Sequence, residues 1–126
     1  SGAPWEAQIG YCRATRVGNQ VFVSGTTAMH DGQPVAPGDA AAQTRHILRT
    51  IALALEEAGA SMADVVRYRV FVTDVSAAEQ IAQELAHVFK DIRPAATLVA
   101  VTSLIRPELV VEIEVDAIAG SAAPVG

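Results

Sequence analysis

The sequence predicts an α+β domain, and the spacing of its apolar residues supports this prediction. Two stretches repeat apolar residues at the spacing of an amphipathic helix, and at least five others show the apolar pattern of β-strands. Apolar residues make up 51% of the 126 residues, which is enough for one hydrophobic core. We therefore expect a single domain over residues 1–126, with two helices packed on one face of a mixed sheet of five to six strands.

The first two strands are predicted at residues 11–17 and 20–24, joined as a hairpin. Gly18 and Asn19 between them suit a two-residue turn, because glycine readily adopts the positive φ that the first turn position requires. The chain then becomes rich in Gly, Pro and Asp over residues 32–39, which predicts a loop.

Two helices are predicted from their capping residues and their apolar periodicity. Asp39 is a suitable N-cap for a helix over residues 40–58, and Gly59 is a suitable residue to end it. The second helix is predicted over residues 76–90. Two helices of this length can cover only one face of the sheet.

Three further strands are predicted at residues 65–73, 97–102 and 109–119. Alternation in the first of them predicts an apolar face made of Val66, Tyr68, Val70 and Val72. The opposite face of this strand is mixed, with two arginines and a phenylalanine. With the hairpin, these strands complete a sheet of at least five strands.

The last predicted strand carries three acids on one face. They are Glu112, Glu114 and Asp116, and the residues between them are apolar. Carboxylates in such a row repel one another unless water or cations lie opposite. The row is therefore either a solvent-facing side of the sheet or the lining of a pocket, and an alternative role for Glu112 is a salt bridge to Arg67 or Arg69.

The helix-free face of the sheet is expected to carry too much apolar surface for a monomer. Its apolar residues would be Phe22, Phe71, Leu98 and Val110, beside arginines and acids. Exposed apolar areas of this size usually mark contacts with other molecules. We therefore expect other copies of the same chain to cover this face.

Charge and composition exclude several classes of function. A net charge of −5 disfavours nucleic acid as a partner, and no apolar run reaches the roughly 18 residues that a membrane span needs. Cys12 is the only cysteine, so we expect a reducing, cytoplasmic location, and the first residues do not resemble a signal peptide. His30, His46 and His87 stand far apart, and no glycine-rich phosphate loop is present. We therefore expect neither a metal nor another cofactor.

Seven stretches, in order over nearly the whole chain, resemble the Rid family (RidA, formerly YjgF). They are residues 10–14, 17–25, 43–45, 55–61, 64–67 with 70–74, 93–97 and 111–114. The resemblance implies a chorismate-mutase-like α+β fold, a homotrimer and clefts between subunits. It also implies a deaminase-like hydrolase, since the best-known members hydrolyse imines and enamines such as 2-aminoacrylate.

The resemblance also identifies candidate site residues. In the hydrolytic members, the glutamate at the position of Glu112 orients the attacking water. Tyr11, Ser24 and Gly25 match the family at its cleft, and Ser24 and Gly25 would offer backbone N–H groups where their strand ends. Arg13 lies on the same strand face as Tyr11, so it could also reach a substrate.

At Ala96 the chain departs from the family pattern. The deaminases of the family carry after Pro-Ala an arginine that grips the substrate carboxylate, and often a cysteine two residues later. Here these residues are Ala96 and Leu98, which would form an apolar wall beside Glu112. We therefore expect an enzyme for an imine-like or enamine-like metabolite other than simple 2-imino acids. The alternative is a trimer that binds a metabolite without turnover, whereas the acidic balance disfavours a ribonuclease, an old label of this family.

Overall fold

Seven strands and two α-helices lie in the part of the chain described by the structure, a computed structural model covering Glu6 and residues 12–122. The strands are β1 (Ala14–Val17), β2 (Gln20–Thr26), β3 (Met29–His30), β4 (Gln33–Pro34), β5 (Val65–Val72), β6 (Ala95–Ala100) and β7 (Val111–Ile118). The helices are α1 (Ala40–Glu57) and α2 (Ala78–Phe89). The predicted α+β class is therefore confirmed.

The main sheet has five strands in the order β1-β2-β7-β5-β6. Among the described strands of this sheet, β5 and β6 run parallel and the other neighbours antiparallel, so the sheet is mixed as expected. The strands β3 and β4 form a separate two-stranded ladder. In the described part of the chain, neither helix is long and apolar enough to cross a membrane.

The predicted turn of the first hairpin and the predicted N-cap of the first helix are confirmed. The strands β1 and β2 pair directly across the turn, with Val17 opposite Gln20 and Gly18 at a φ of 59°. Asp39 caps α1, because its Oδ1 accepts a hydrogen bond of 3.0 Å from the backbone N–H of Ala42.

The core lies between the two helices and one face of the sheet. Alternate residues of β7 point into it, as the pattern predicts: Val111, Ile113, Val115 and Ala117. The helices contribute Ile47, Ile51 and Leu55 from α1 and Ile81, Leu85 and Phe89 from α2. The ring of Tyr68 on β5 stacks on Phe89 with 4.8 Å between centroids, which ties α2 to the sheet.

The prediction for Val66 is wrong, because β5 contains a bulge. Val65 lies opposite Ala117, and Arg67 lies opposite Asp116, so β5 advances two residues while β7 advances one. This extra residue turns Val66 outward, where 39% of its surface is exposed. Val65 takes its place in the core and is only 3% exposed.

The predicted apolar character of the helix-free face holds for Phe22 and fails for Leu98 and Val110. Phe22 is 42% exposed, whereas Leu98 and Val110 pack against the core. The register explains Leu98, because it lies beside the core residue Val70, and its neighbour Val99 is the exposed one. The helix-free face thus remains apolar, but Val99 rather than Leu98 is its exposed large apolar residue on β6.

A buried glutamine fixes the loop before β7. The amide nitrogen of Gln43 donates to the carbonyl oxygens of Ala36 (3.1 Å) and Glu108 (2.9 Å), and its amide oxygen accepts from the N–H of Val110 (3.0 Å). Each bond satisfies a backbone group that would otherwise be costly to bury. Gln43 therefore holds the loop over residues 101–110 against α1, and this loop borders the candidate site.

Candidate functional site

A cleft of about 520 Å³ lies where β2 passes beside β7, and we call it the Glu112 cleft. It is lined by Arg13, Ser24, Gly25, Thr27, Met29, Thr50, Ile105, Glu112 and Glu114. Four of these residues, Arg13, Ser24, Gly25 and Glu112, are candidates from the sequence. The structure therefore brings together residues from three separate stretches of the chain.

A bulge in β2 shapes one wall of this cleft. Val23 lies opposite Val115, and Thr26 lies opposite Ile113, so β2 advances three residues while β7 advances two. The bulge comprises Ser24 and Gly25, which together lie opposite a single residue of β7. The strand continues through them to Thr26. These two residues therefore lie inside β2. The prediction that they end the strand is wrong.

The expectation of a free backbone N–H is wrong at Ser24. This N–H donates to the carbonyl oxygen of Arg13 at 2.9 Å, and the Ser24 hydroxyl donates to the carbonyl oxygen of Cys12 at 2.7 Å. Both donors of Ser24 thus hold the segment before β1 against the bulge. Its contribution to ligand binding stays a prediction.

Gly25 provides the space in which the carboxylate of Glu112 lies. A Cβ atom built on Gly25 would overlap Glu112 Oε2 and would lie only 3.1 Å from its carboxyl carbon. The φ of Gly25 is not in the left-handed region, so backbone freedom is not the reason for glycine here. What this position requires is the absence of a side chain.

Glu112 is half-buried and has no compensating charge paired with it among the described residues. Its carboxylate makes no hydrogen bond or ion pair with any residue that the structure describes. Burial raises the pKa of Glu112 above its ordinary value of 4.5, and the negative charge of Glu114 raises it further. Such a carboxylate can accept and return a proton closer to neutral pH than an exposed glutamate can.

The alternative role for Glu112, a salt bridge to an arginine of β5, is not what the structure contains. Arg69 Nη1 lies 3.2 Å from a carboxylate oxygen of Glu114 and 3.6 Å from one of Asp116. Register explains this choice, since Arg69 lies directly opposite Glu114. Arg67 is exposed and pairs with no acid among the described residues. The row of acids is therefore divided: Glu114 and Asp116 share Arg69, and Glu112 has no ion pair within the described part of the chain.

Ala96 and Leu98 do not line the Glu112 cleft within one chain. Ala96 lies beside Tyr68 in the parallel ladder, on the side of the sheet that faces α2, and Leu98 packs against the core. Tyr11 lies outside the described residues. The predicted apolar wall of Ala96 and Leu98 beside Glu112 is therefore not formed within one chain. Ala96 is exposed, so another copy of the chain can reach it, whereas Leu98 is partly buried against its own core.

A second hollow of about 210 Å³ lies between β5 and the end of α2, and we call it the Tyr68 hollow. Its lining residues are Tyr68, Ala82, Leu85, Ala86, Phe89, Lys90, Arg93 and Pro94. Ala96 follows the last of them by two residues. The candidate residues thus divide into two regions, one at the Glu112 cleft and one next to the Tyr68 hollow.

Several residues of the Glu112 cleft carry no signal in the sequence. Thr27 follows the end of β2, Met29 belongs to the short strand β3, and Thr50 belongs to α1. Ile105 comes from the loop that Gln43 holds. Only the tertiary arrangement joins these positions. Among the described residues, no group of three or more His, Cys, Asp or Glu side chains is arranged to hold a metal ion.

Comparison with known proteins gives consistent matches over most of the chain. The profile of the family described as endoribonuclease L-PSP matches residues 2–119. The crystal structure of Rv2704 from Mycobacterium tuberculosis, a member of the YjgF/YER057c/UK114 family, superposes with a TM-score of 0.85 at 48% identity, covering 94% of this chain and 95% of that one. A Yersinia pestis protein of unknown function from the Rid family superposes with a TM-score of 0.82 at 30% identity, covering 87% and 88%. The 3-aminoacrylate deaminase RutC of Acinetobacter baylyi is 40% identical over 104 residues, which are 82% of each chain.

Proposed function

Because the chain belongs to the endoribonuclease L-PSP family, which is also called the Rid or YjgF family, we propose that it is a small-molecule enzyme. Its substrate is an imine, an enamine or a related metabolite, and it acts by transfer of water or a proton. The observation that carries this proposal is the carboxylate of Glu112, which is half-buried in a cleft of about 520 Å³ and unpaired among the described residues. The relative named 3-aminoacrylate deaminase acts, by its name, on an enamine, which supports the substrate class.

The chemistry assigned to Glu112 is that of a general base. Its carboxylate accepts a proton from a water molecule while the water oxygen bonds to the imine carbon. The same group then returns this proton to the nitrogen, which gives a carbinolamine. When the hydroxyl proton of the carbinolamine also passes to the nitrogen, the carbon–nitrogen bond breaks, ammonia leaves and a carbonyl group remains. A raised pKa suits both steps, because the group must take up and give back one proton.

The acidic balance of the chain does not support RNA as the substrate. The net charge is −5, and the charged side chains among the described residues of the Glu112 cleft are Arg13, Glu112 and Glu114. A single guanidinium beside two carboxylates is a poor site for a polyanion, which usually needs several cations. A small metabolite fits this cleft better.

The proposed assembly is a homotrimer in which a neighbouring copy completes each cleft. Two observations support it: the apolar residues on the helix-free face, and the separation of Ala96 and Leu98 from Glu112 within one chain. In such an assembly β6 of one copy, with Ala96 and the adjoining Tyr68 hollow, faces the Glu112 cleft of the next. An imine is then enclosed between two chains.

We expect the protein to have, in solution, three times the 13.1 kDa mass of one chain. Light scattering at micromolar concentration measures this mass directly. Phe22→Glu, which places a charge on the exposed apolar face beside Asp116, should shift the mass towards that of a single chain. The matched variant is Leu53→Glu on the exposed side of α1, which should remain trimeric. A wild-type protein with the mass of one chain would contradict the proposed assembly.

We expect Ala96→Arg to accelerate hydrolysis of 2-aminoacrylate by about tenfold or more, because a guanidinium can form a bidentate pair with the substrate carboxylate. The measurement is the rate of pyruvate formation from 2-aminoacrylate generated in situ, above the rate without enzyme. Thr97→Arg, one residue further along β6 and on its opposite face, should leave the rate unchanged. Rapid turnover by the wild type that Ala96→Arg does not improve would contradict the importance assigned to the missing arginine.

A further inference from the structure

In the Glu112 cleft, Arg13 is a cation without an anionic partner among the residues that the structure describes. Of the three charged side chains that line the described part of this cleft, Glu114 pairs with Arg69, at 3.2 Å. Arg13 and Glu112 form no ion pair with any residue in the described part of the chain. Two uncompensated opposite charges in one cleft are complementary to a ligand that carries both an anionic and a cationic or proton-accepting group.

The guanidinium of Arg13 is held in place by the bulge of β2. Its Nη1 donates to Thr26 Oγ1 at 3.0 Å, and the Thr26 hydroxyl donates to the carbonyl oxygen of Ser24 at 2.9 Å. Thr26 itself is buried, so this anchor is fixed. The backbone of Arg13 is tied to the same bulge, because its carbonyl oxygen accepts from the N–H of Ser24 at 2.9 Å.

This anchoring leaves most of the guanidinium available. An arginine side chain has five N–H donors in a planar fork, and Arg13 uses one of them on another described residue. A fork with its orientation fixed at one nitrogen loses little entropy when it binds a carboxylate through two others. Arg13 therefore has the charge, the geometry and the rigidity of an anion-binding group.

We propose that Arg13 binds the carboxylate of the substrate, so that this cleft takes small carboxylic acids with an imine or enamine nitrogen. This proposal rests on the function proposed above. It places the carboxylate-binding guanidinium at the bulge of β2 rather than on β6, where Ala96 has no charge to offer. A carboxylate bound at the bulge has a different position relative to the reacting carbon, which favours acids other than simple 2-imino acids.

The test is a binding measurement with stable ligands, so that it does not depend on turnover. Acetoacetate serves as the carboxylate probe and methyl acetoacetate as its uncharged counterpart, each titrated into the full-length protein by calorimetry or ligand-observed NMR. We expect Arg13→Gln to weaken acetoacetate binding by about 10- to 100-fold, as loss of a charge-assisted hydrogen bond does, and to leave the ester unaffected. Arg13→Lys keeps the positive charge but not the planar fork of donors, so its affinity for acetoacetate should lie between those of the wild type and Arg13→Gln.

Two further variants separate ligand binding from a structural role. Thr26→Val removes the anchoring hydrogen bond and keeps the guanidinium, so it should weaken acetoacetate binding far less than Arg13→Gln does. If Arg13 only stabilised the bulge, the two variants would behave alike, and this result would overturn the proposal. Arg16→Gln removes an arginine of β1 whose guanidinium bonds to the carbonyl oxygens of Gly18 and Ala58, outside the Glu112 cleft, and should bind acetoacetate normally.

The outcome for Arg13 is distinguishable from the outcome for the enzymatic function. Binding of acetoacetate that Arg13→Gln weakens, with no effect on the ester, would support the proposal even if no enamine were hydrolysed. Turnover of enamine acids with the same KM in wild type and Arg13→Gln would overturn the role of Arg13 and leave the catalytic function standing. A wild-type protein that binds acetoacetate no more tightly than its methyl ester would also overturn it.

Discussion

Glu112→Gln is expected to lower kcat for enamine hydrolysis by about 10²- to 10⁴-fold, because the amide cannot accept a proton from water. The shape of the side chain is almost unchanged, so the cleft and the contact with Gly25 are preserved. The measurement compares the rates of wild type and variant on 3-aminoacrylate generated in situ, an enamine that is not a simple 2-imino acid. Full activity in the variant would contradict a catalytic role for this carboxylate.

The pH dependence of the reaction provides a second signature of Glu112. As a base it must be ionised, so kcat/KM of the wild type should fall as the pH drops through its pKa. Burial and the charge of Glu114 raise this pKa, so the acid limb of the profile should lie above the ordinary value of 4.5. Glu114→Gln removes the neighbouring charge and should move this limb to lower pH, whereas Asp39→Asn, a change at the cap of α1, should not.

Stability should change in the opposite direction to activity. A carboxyl group whose pKa is higher in the folded than in the unfolded protein binds its proton more tightly when folded. It therefore destabilises the fold increasingly as the pH rises from its ordinary value through the raised pKa. Glu112→Gln removes this cost, so its Tm should equal or exceed that of the wild type near neutral pH. Below the ordinary value of 4.5 the two proteins should differ less.

The features that could be predicted from the sequence are those governed by neighbours along the chain. The alternation over residues 111–117 indicated which side chains of β7 face the core, since the period of a strand is two. The cap at Asp39 and the turn at Gly18 were equally local. Each of these depends on a few adjacent residues, whose preferences are strong enough to decide the structure.

The features that could not be predicted depend on register between strands. Val66 faces outward because β5 has one residue more than β7 at the bulge, and Leu98 faces the core because it pairs with Val70. Arg69 forms its ion pair with Glu114 rather than Glu112 because the same register places Arg69 opposite Glu114. A strand alternates between its faces in the same way whatever its register, so the pattern alone cannot determine these positions.

Gly25 illustrates a residue that the sequence identified for the wrong reason. The sequence predicts it at a strand end, as a source of a backbone N–H group. The structure instead places it inside β2, where the absence of a side chain admits the carboxylate of Glu112. Because Gly25 and Glu112 are far apart in the sequence, only the pairing of β2 with β7 reveals this requirement.

Gly25→Ala is therefore expected to impair the enzyme through Glu112 alone. The new methyl group would overlap the carboxylate and move it by about 1 Å, a displacement that typically costs about 10²-fold in rate. The free energy of unfolding should fall by about 1–3 kcal/mol, as it does when a packed site receives an extra carbon. Enzyme kinetics and thermal unfolding measure the two effects.

A double-mutant cycle tests whether Glu112 is the cause of this loss. In a Glu112→Ala background the obstructing carboxylate is gone, so adding Gly25→Ala should cost little further stability. Gly18→Ala is the matched control for an added methyl group, because it strains a backbone with a φ of 59° but meets open space. It should lower the Tm and leave turnover unchanged. An equal loss of stability from Gly25→Ala in both backgrounds would mean that the methyl group disturbs the bulge itself, and Gly25 would then have no specific part in placing the catalytic carboxylate.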